Sequence, residues 1–542
     1  MASQHLQVVT PPSKDAILNS LLETIRGYNA RQPPDMVHAR AGFGVCALDA
    51  EMPLLLNHRP GAPLPCREPA ADFEAVNAHF SAQVHSFFNA LHDLEDMAAK
   101  QSPDELPLIR AGLDEGLQPV IRVANQLFEP DLDCLHRAFH TRRLTIQNLD
   151  SLPLLHRVTQ LRIFPAETYV ANPIYMRPVS MCTPLELATR LPQLRRLDCG
   201  WLWERLPVPF TSKALRIICG VWAGPWRDDR AEFARGVRRA LPMLPSSLTK
   251  ARLWFWRPKA WGDEMDQAEQ MPDLVGASLS SSSSTNEFGH KDPVSLGLRD
   301  LGSRLEELDI CAFITTDLFP SSSRDALQWS YMRHLSIEFH PCAPDGRWYF
   351  SGPRGEDPYP IGFAITREEH YPPGQEDDDE THQLMDDEED KYWADAPDIY
   401  DLRQPDMFRI RPIAERINPL LLAFASSLQH MPSLQDADLF TWLTWRPSKV
   451  RAQEYEGSNE IPPTSYIDEL VMFRWGVRYE APAVGGDGRG KVTWQVGEDW
   501  RPEDEVIRAF EDLVGGEGGK DNMEWEAFEF SGEREQDLDD YV

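Results

Sequence analysis

Apolar residues recur along the middle of the chain in a short frame. In LPQLRRLDCGW at 191–201, Leu194, Leu197 and Cys199 alternate with charged side chains. The frame returns at Val158, Leu161 and Ile163, at Leu305, Leu308 and Ile310, at Met332, Leu335 and Ile337, and at Leu434, Ala437 and Leu439. Weaker copies lie in ALRIICGVW at 214–222 and SLTKARLWFW at 247–256. Alternation with a period of two predicts short strands that bury one face.

Helical patterns precede several of these strands. In TPLELATRL, Thr183 is placed to cap a first turn, Pro184 falls where its missing N–H costs nothing, and Glu186 completes a capping box. In DDRAEFARGVRRALPML, Phe233, Val237, Ala240, Leu241 and Leu244 share one face, away from Arg235, Arg238 and Arg239. Further helices are predicted over Pro293–Leu301 and, despite Pro419, over Ile413–Met431. Helix followed by strand, repeated, calls for a parallel sheet, because parallel strands need a crossover connection. The spacing is irregular: Leu194 to Leu215 is 21 residues, Leu305 to Met332 is 27, and Met332 to Leu434 is 102. Regular leucine-rich repeats keep a unit of roughly 20–29 residues. The expected fold is therefore α/β, an irregular leucine-rich-repeat-like solenoid with a parallel sheet, a helical N-terminal cap and large loop insertions.

The same patterns divide the chain. Residues 1–70 are Pro-rich and poorly patterned and read as partly disordered, and 71–135 carry a helical stripe of Phe73, Val76, Phe80, Val84, Phe87, Leu91 and Leu94 that reads as the cap. The repeat body is expected over 136–510, its strands beginning near 140–147. Flexible insertions are expected near 257–292, which holds a Ser-rich run, and 351–408, which holds GQEDDDETHQLMDDEED. A hairpin is predicted near 466–500 and a mobile acidic tail over 511–542.

Composition narrows the function classes. With 54 Lys+Arg against 86 Asp+Glu, the formal charge of −32 gives a field that repels phosphate backbones and anionic lipid. Neither nucleic acid nor membrane is an expected partner. No stretch reaches the roughly 18 apolar residues that span a bilayer, and the N-terminus has no secretory signal pattern, so the expected location is cytoplasmic or nuclear. The eight cysteines are scattered without a C-x-x-C pair and read as reduced core residues.

The segments FHTRRLTIQNLDSLPLLHRVTQLRIF, LPQLRRLDCGW, DPVSLGLRDLGSRLEELDI, YMRHLSIEFHPCAPDGRWYFSGPRGE, MPSLQDADLFTWL and WQVGEDWRPEDEV together resemble fungal F-box-type proteins with a degenerate leucine-rich-repeat body. The resemblance covers roughly 136–510. It implies an interaction protein whose N-terminal F-box docks a cullin-ligase adaptor and whose body holds a target. Residues 1–70 carry no Leu-Pro-x-Glu-Leu opening, and DAILNSLLETI at 15–25 and EMPLLLNHRP at 51–60 are the nearest segments.

Candidate chemistry is sparse. Cys134, His136 and His140 have a spacing that metals use, but no second cluster completes a tetrahedral set. The Gly-rich AGFGVCA at 41–47 and GGDGRG at 485–490 lack the strand-to-helix context of a phosphate loop. His79, His85 and His92 fall on the polar side of their helix. The three WRP tripeptides, at Trp256, Trp445 and Trp500, read as strand ends. No catalytic residue, cofactor or metal is expected. Side chains flanking the buried frame point to the opposite, concave face. They are Arg143, Thr145, Gln160, Arg162, Arg196, Asp198, Trp254, Glu307, Asp309, His334, Ser336, Asp436 and Asp438. The reading is a monomeric, non-enzymatic protein-interaction scaffold, extending to a ubiquitin-ligase substrate receptor; the alternative is a divergent hydrolase or metal-dependent enzyme.

Overall fold

The computed structural model describes residues 11–31, 45–52, 68, 70–100, 116–125, 142–165, 177–200, 202, 204, 222–256, 266–275, 287–320, 328–371, 406–455, 471–482, 490–497, 500–515 and 522–526. These form two compact units, both mixed α/β. Most strand pairs in them are parallel.

The first unit holds five parallel strands in chain order: β1 (Val45–Met52), β2 (Gln118–Asn125), β3 (Gln160–Pro165), β4 (Arg196–Cys199) and β5 (Lys250–Trp254), the last as far as Leu253, since Trp254 belongs to the second unit. Leu161, Leu197 and Ala251 stand side by side in register and are buried, so the repeated frame at 161 and 197 forms adjacent rungs of one core row. The rung after β4 is β5, 54 residues on by the paired positions Leu197 and Ala251. The weak copy at 214–221 lies outside the described residues.

Two strands precede the place where the pattern predicts the first one. β1 alternates Cys46, Leu48, Ala50 and Met52 inward, and β2 pairs with it in parallel. Their segments are short and bounded by Pro and Gly, which hides a period-two signal inside a stretch that reads as unpatterned. Helix α1 (Lys14–Arg31) packs on α2 (Ala70–Lys100), and α2 packs on β1. The helical stripe is as expected from Val76 on, with Val76, Phe80, Val84, Phe87, Leu91 and Leu94 all buried, while Phe73 at its start is half-buried.

The opposite flank of α2 is not simply solvated. Asn77 exchanges hydrogen bonds with the Thr145 backbone N–H and hydroxyl, the Gln147 N–H donates to Ser81 Oγ, and Glu95 accepts the backbone N–H groups of His156 and Arg157. His79 is buried, and desolvation lowers its pKa; His85 Nε2 lies 2.9 Å from the Gln147 carbonyl. Helix α2 therefore satisfies backbone groups of the 145–157 segment, where β pairing does not reach them.

Helix α3 (Thr183–Ala188) corrects a second detail. Cys182 occupies the N-cap position in an αR conformation, and no side chain caps the turn. Thr183 is itself buried inside the first turn, so the capping-box geometry is not formed.

In the second unit the strand order is β6 (Glu307–Ala312), β7 (His334–Phe339), β10 (Asp436–Trp445), β11 (Val471–Glu480), β12 (Lys491–Gln495) and β13 (Met523–Glu526). The first three run parallel, β10–β11 and β11–β12 antiparallel, and β12–β13 parallel. Leu308, Leu335 and Ala437 align as one buried row. Helices α4 (Ala223–Ala240), α5 (Pro293–Gly302) and α7 (Ala414–Leu428) come before β5, β6 and β10 in the chain, the helix-then-strand order the sequence predicts. Asp292 caps α5 by accepting the Ser295 N–H.

Of the expected tail at 511–542 only 511–515 and 522–526 lie among the described residues, and these belong to a helix end and a short strand. Helix α9 (Asp504–Leu513) packs on α7 through Phe510 and Phe424, and β13 pairs with β12, stacking Trp525 on Trp494. The segment 341–371 also packs, carrying β8 (Phe350–Ser351), which pairs with β9 (Arg411–Pro412), and the short helix α6 (Arg367–His370). Helix α8 (Lys449–Tyr455) follows β10 and anchors Asp406 through the Ser448 N–H and Arg451 Nε. Among the described residues no helix is long and apolar enough to cross a membrane.

Candidate binding surface

Because side chains alternate across a strand, burying Leu308, Leu335 and Ala437 sends their neighbours to the other face. Register then fixes who stands beside whom. One row reads Glu307, His334, Asp436, Glu480, Lys491, and the next Asp309, Ser336, Asp438, Arg478, Thr493, Glu524. Glu307, Asp309, His334, Ser336, Asp436 and Asp438, six of the residues singled out from sequence, are thus neighbours on three parallel strands. All six are partly exposed, while the residues between them are buried.

Charge dominates this surface. His334 Nδ1 lies 2.6 Å from Asp436 Oδ2, both side chains being a little over 40% exposed. Asp438 pairs with Arg474, whose guanidinium also lies 4.1 Å from the Phe440 ring centroid. Desolvation raises the Asp438 pKa, and the Arg474 and Arg478 charges oppose that rise. The Trp254 indole N–H donates to Asp309 Oδ1 at 3.1 Å. Further along, Arg478 pairs with Glu480 and Lys491 with Glu524. Across β6, β7 and β10 the two rows hold Glu307, Asp309, Asp436 and Asp438 against His334 alone.

Trp254 is buried and forms no aromatic rim. The remaining candidates belong to the first unit. Asp198 is also buried, with Arg162 Nε and Arg252 Nε at 3.8 and 3.9 Å on either side. Register explains this, since Arg162, Asp198 and Arg252 stand in one row on β3, β4 and β5. Arg196 lies one row away, beside Gln160 and Lys250. Arg143 is turned inward to the carbonyls of Val179 and Leu202. This face of the first unit is an internal ion ladder in which Asp198 is enclosed by arginines.

Sequence reasoning missed Arg252, Arg474, Arg478, Glu480 and Lys491. Each sits at a period-two position of its strand, but their partners follow only from strand order, which the long insertions conceal. Cys134, His136 and His140 lie outside the described residues. Among the described residues no group of three or more His, Cys, Asp and Glu is arranged to hold a metal ion. Cys46, Cys182, Cys199, Cys311 and Cys342 are buried free thiols. Burial pushes the Cys46 thiol up to about 12 and those of Cys199 and Cys342 well above the ordinary range, so none of these three is a poised thiolate. Trp256 and Trp445, two of the WRP tryptophans, are packed at strand ends. Compared with protein-family models, curated proteins and solved structures, the chain matches none.

Proposed function

We propose that the protein is a non-enzymatic protein-binding scaffold of degenerate leucine-rich-repeat type, and that the polar sheet face of its second unit receives an extended cationic segment of a protein partner. The observation that carries this reading is the pair of ordered, partly exposed rows through Glu307, Asp309, Asp436 and Asp438, backed by a fully buried row. A paired sheet fixes the backbone positions and spacing of these carboxylates, so binding need not order the backbone that carries them. The resemblance to F-box-type proteins extends the proposal to a ligase substrate receptor. In that reading DAILNSLLETI, which lies within α1, is the segment to test for adaptor recovery.

The test uses synthetic peptides with Lys or Arg at alternate positions, titrated by fluorescence anisotropy against the full chain and its Asp309→Lys/Asp436→Lys variant. Two charges at 4 Å in water interact by about 1 kcal/mol, and reversal turns each attraction into repulsion. Two reversals amount to about 4 kcal/mol unscreened, roughly 1000-fold. Salt screening of these partly exposed groups reduces it, so the double variant is expected to bind at least about 10-fold more weakly, with the difference shrinking as salt rises. Equal binding by the variant, or equal binding of a Glu-substituted peptide, would refute the reading.

A further inference from the structure

An enclosed ionic cluster in the second unit plays no part in the binding face. Glu204, Arg230 of α4 and Asp292 at the N-cap of α5 all have fully buried side chains. Arg230 donates through Nη1 to Glu204 Oε1, and through Nη2 to Asp292 Oδ1 at 2.7 Å and to the Phe313 carbonyl at 3.0 Å. Two carboxyl groups share one guanidinium. If both were ionised, a net negative charge would be buried, which proteins avoid by neutralising a group.

The two carboxyls are served differently. Asp292 Oδ1 accepts from Arg230, while Oδ2 accepts both the backbone N–H and the hydroxyl of Ser295, at 2.9 and 2.6 Å. Donors on both oxygens suit an anion. Glu204 accepts Arg230 and the Trp226 indole N–H, at 2.9 Å, on Oε1 alone; Oε2 is enclosed with no hydrogen-bond partner. With both donors on Oε1 and none reaching Oε2, an anion at Glu204 would leave one charged oxygen enclosed without a donor, whereas Asp292 is served on both; of the two carboxyls Glu204 is the one whose charge is less stabilised.

We propose that Glu204 holds a proton on Oε2 in the folded protein and acts as a proton-operated latch. Neutral, Glu204 is held to α4 through its side chain and to Phe255 through its backbone N–H, which donates to the Phe255 carbonyl. Ionised, it competes with Asp292 for Arg230. The other groups around the cluster do not offset this. Asp317 binds the Asp292 N–H and adds negative charge behind it. His340, stacked on Phe313, is held neutral by burial, its pKa lowered to about 3. Tyr349, which donates to the Ile314 carbonyl, is held in its phenol form, burial raising its pKa. Burial likewise raises the Glu204 pKa, opposed by Arg230 and Trp226 and reinforced by Asp292.

A carboxyl raised in the folded state stabilises the fold fully below the unfolded value. That contribution is lost as pH rises toward the folded value. Over that window the folded chain holds a proton the unfolded chain lacks, so the folding constant falls tenfold per pH unit from this group. Unfolding by urea of the full chain and of Glu204→Gln, from pH 5 to pH 9, tests the latch, because glutamine copies the neutral acid. The variant is expected to match the parent near pH 5 and to exceed it at pH 8, with a pH slope shallower by up to one proton. Parallel profiles, or a variant less stable at pH 8, would overturn the proposal. Infrared difference spectra at neutral pH give a readout independent of stability: the parent is expected to show a protonated-carboxyl stretch that the variant lacks, and its absence overturns the assignment.

Discussion

Arg409→Ala should be among the most damaging single changes in the second unit, and Arg416→Ala, at the same carboxylate, much milder. The Arg409 side chain is fully buried. Its Nη1 donates to Asp357 Oδ1 at 2.7 Å and to the Phe350 carbonyl at 3.0 Å, its Nε donates to the Gln267 carbonyl at 2.9 Å, and its guanidinium lies 4.9 Å from the Trp348 ring centroid. Truncation strands two carbonyls, takes one cation from Asp357 and opens a cavity. Removing one partner of a buried ion pair typically costs about 3–5 kcal/mol. Arg416 Nη2 still holds Asp357 Oδ2 at 2.8 Å, so the carboxylate is not left bare, and the low end, about 3 kcal/mol, is expected. Arg416 is partly exposed, and water can replace its bonds to Asp357 and to the Trp348 and Pro360 carbonyls. Its loss should cost about 1 kcal/mol. Urea unfolding followed by tryptophan fluorescence, to which all sixteen tryptophans contribute, measures the stability of both variants. A loss below about 1 kcal/mol for Arg409→Ala, or a larger loss for Arg416→Ala, would refute the idea that this arginine organises the segments around 267, 350 and 409.

Two further outcomes follow from single contacts. A Cβ added at Gly476 would come within 2.7 Å of Phe440 Cα and press on the Leu439 carbonyl, so Gly476→Ala should lower the thermal midpoint by the equivalent of about 1–3 kcal/mol; an unchanged midpoint would show that β10 and β11 are not so closely paired. His340 accepts the Cys342 N–H on Nδ1, and burial lowers its pKa to about 3. The unfolded chain therefore binds a proton that the folded chain refuses, and stability should fall as pH drops from about 6.5 toward 3. His340→Phe should flatten that acid limb even though it strands one N–H, and an identical pH profile would count against the assignment.

How much of this was legible depends on the range of the interactions. The frame at Leu161, Leu197, Leu308, Leu335 and Ala437 could be read because burial of one strand face is a local, period-two property, and all five residues are buried in strands. The helices at 223–240, 293–302 and 414–428 were equally readable from their apolar stripes. The environment of Arg409 was not. It joins residues near 267, 350 and 357, and no local pattern announces that an arginine just beyond an apparent insertion is fully enclosed. Asp198 shows the same limit within a strand. Alternation sets it opposite the buried leucines and predicts a side chain presented to a partner, but the register with Arg162 and Arg252 shows it buried among its own ion pairs. β13 was lost for a related reason, because MEWE is too short and acidic to signal a strand, and Trp525 finds its place by stacking on Trp494, which lies 31 residues earlier in the chain.

The sign of the second unit's polar face bears directly on what can cover it. Residues 374–390 contain ten carboxylates, five at 376–380 and five at 386–390, and no Lys or Arg. The chain as a whole carries a formal charge of −32. A segment of that composition brought onto Glu307, Asp309, Asp436 and Asp438 would add like charges at close range, which opposes association. The bases nearest to hand are already committed, Arg474 to Asp438 and Arg478 to Glu480. Charge complementarity on this face therefore has to come from cations outside the acidic stretches of the chain. In the proposed scaffold those cations belong to the partner, and the acidic segment between Tyr371 and Asp406 would act with the sheet by raising the local concentration of cationic chains without occupying the surface. Deleting 374–390 should then slow association of the Lys/Arg peptides at low salt and leave their dissociation rate unchanged. Faster association after deletion would mean that the segment shields the face, and the charge argument would fail.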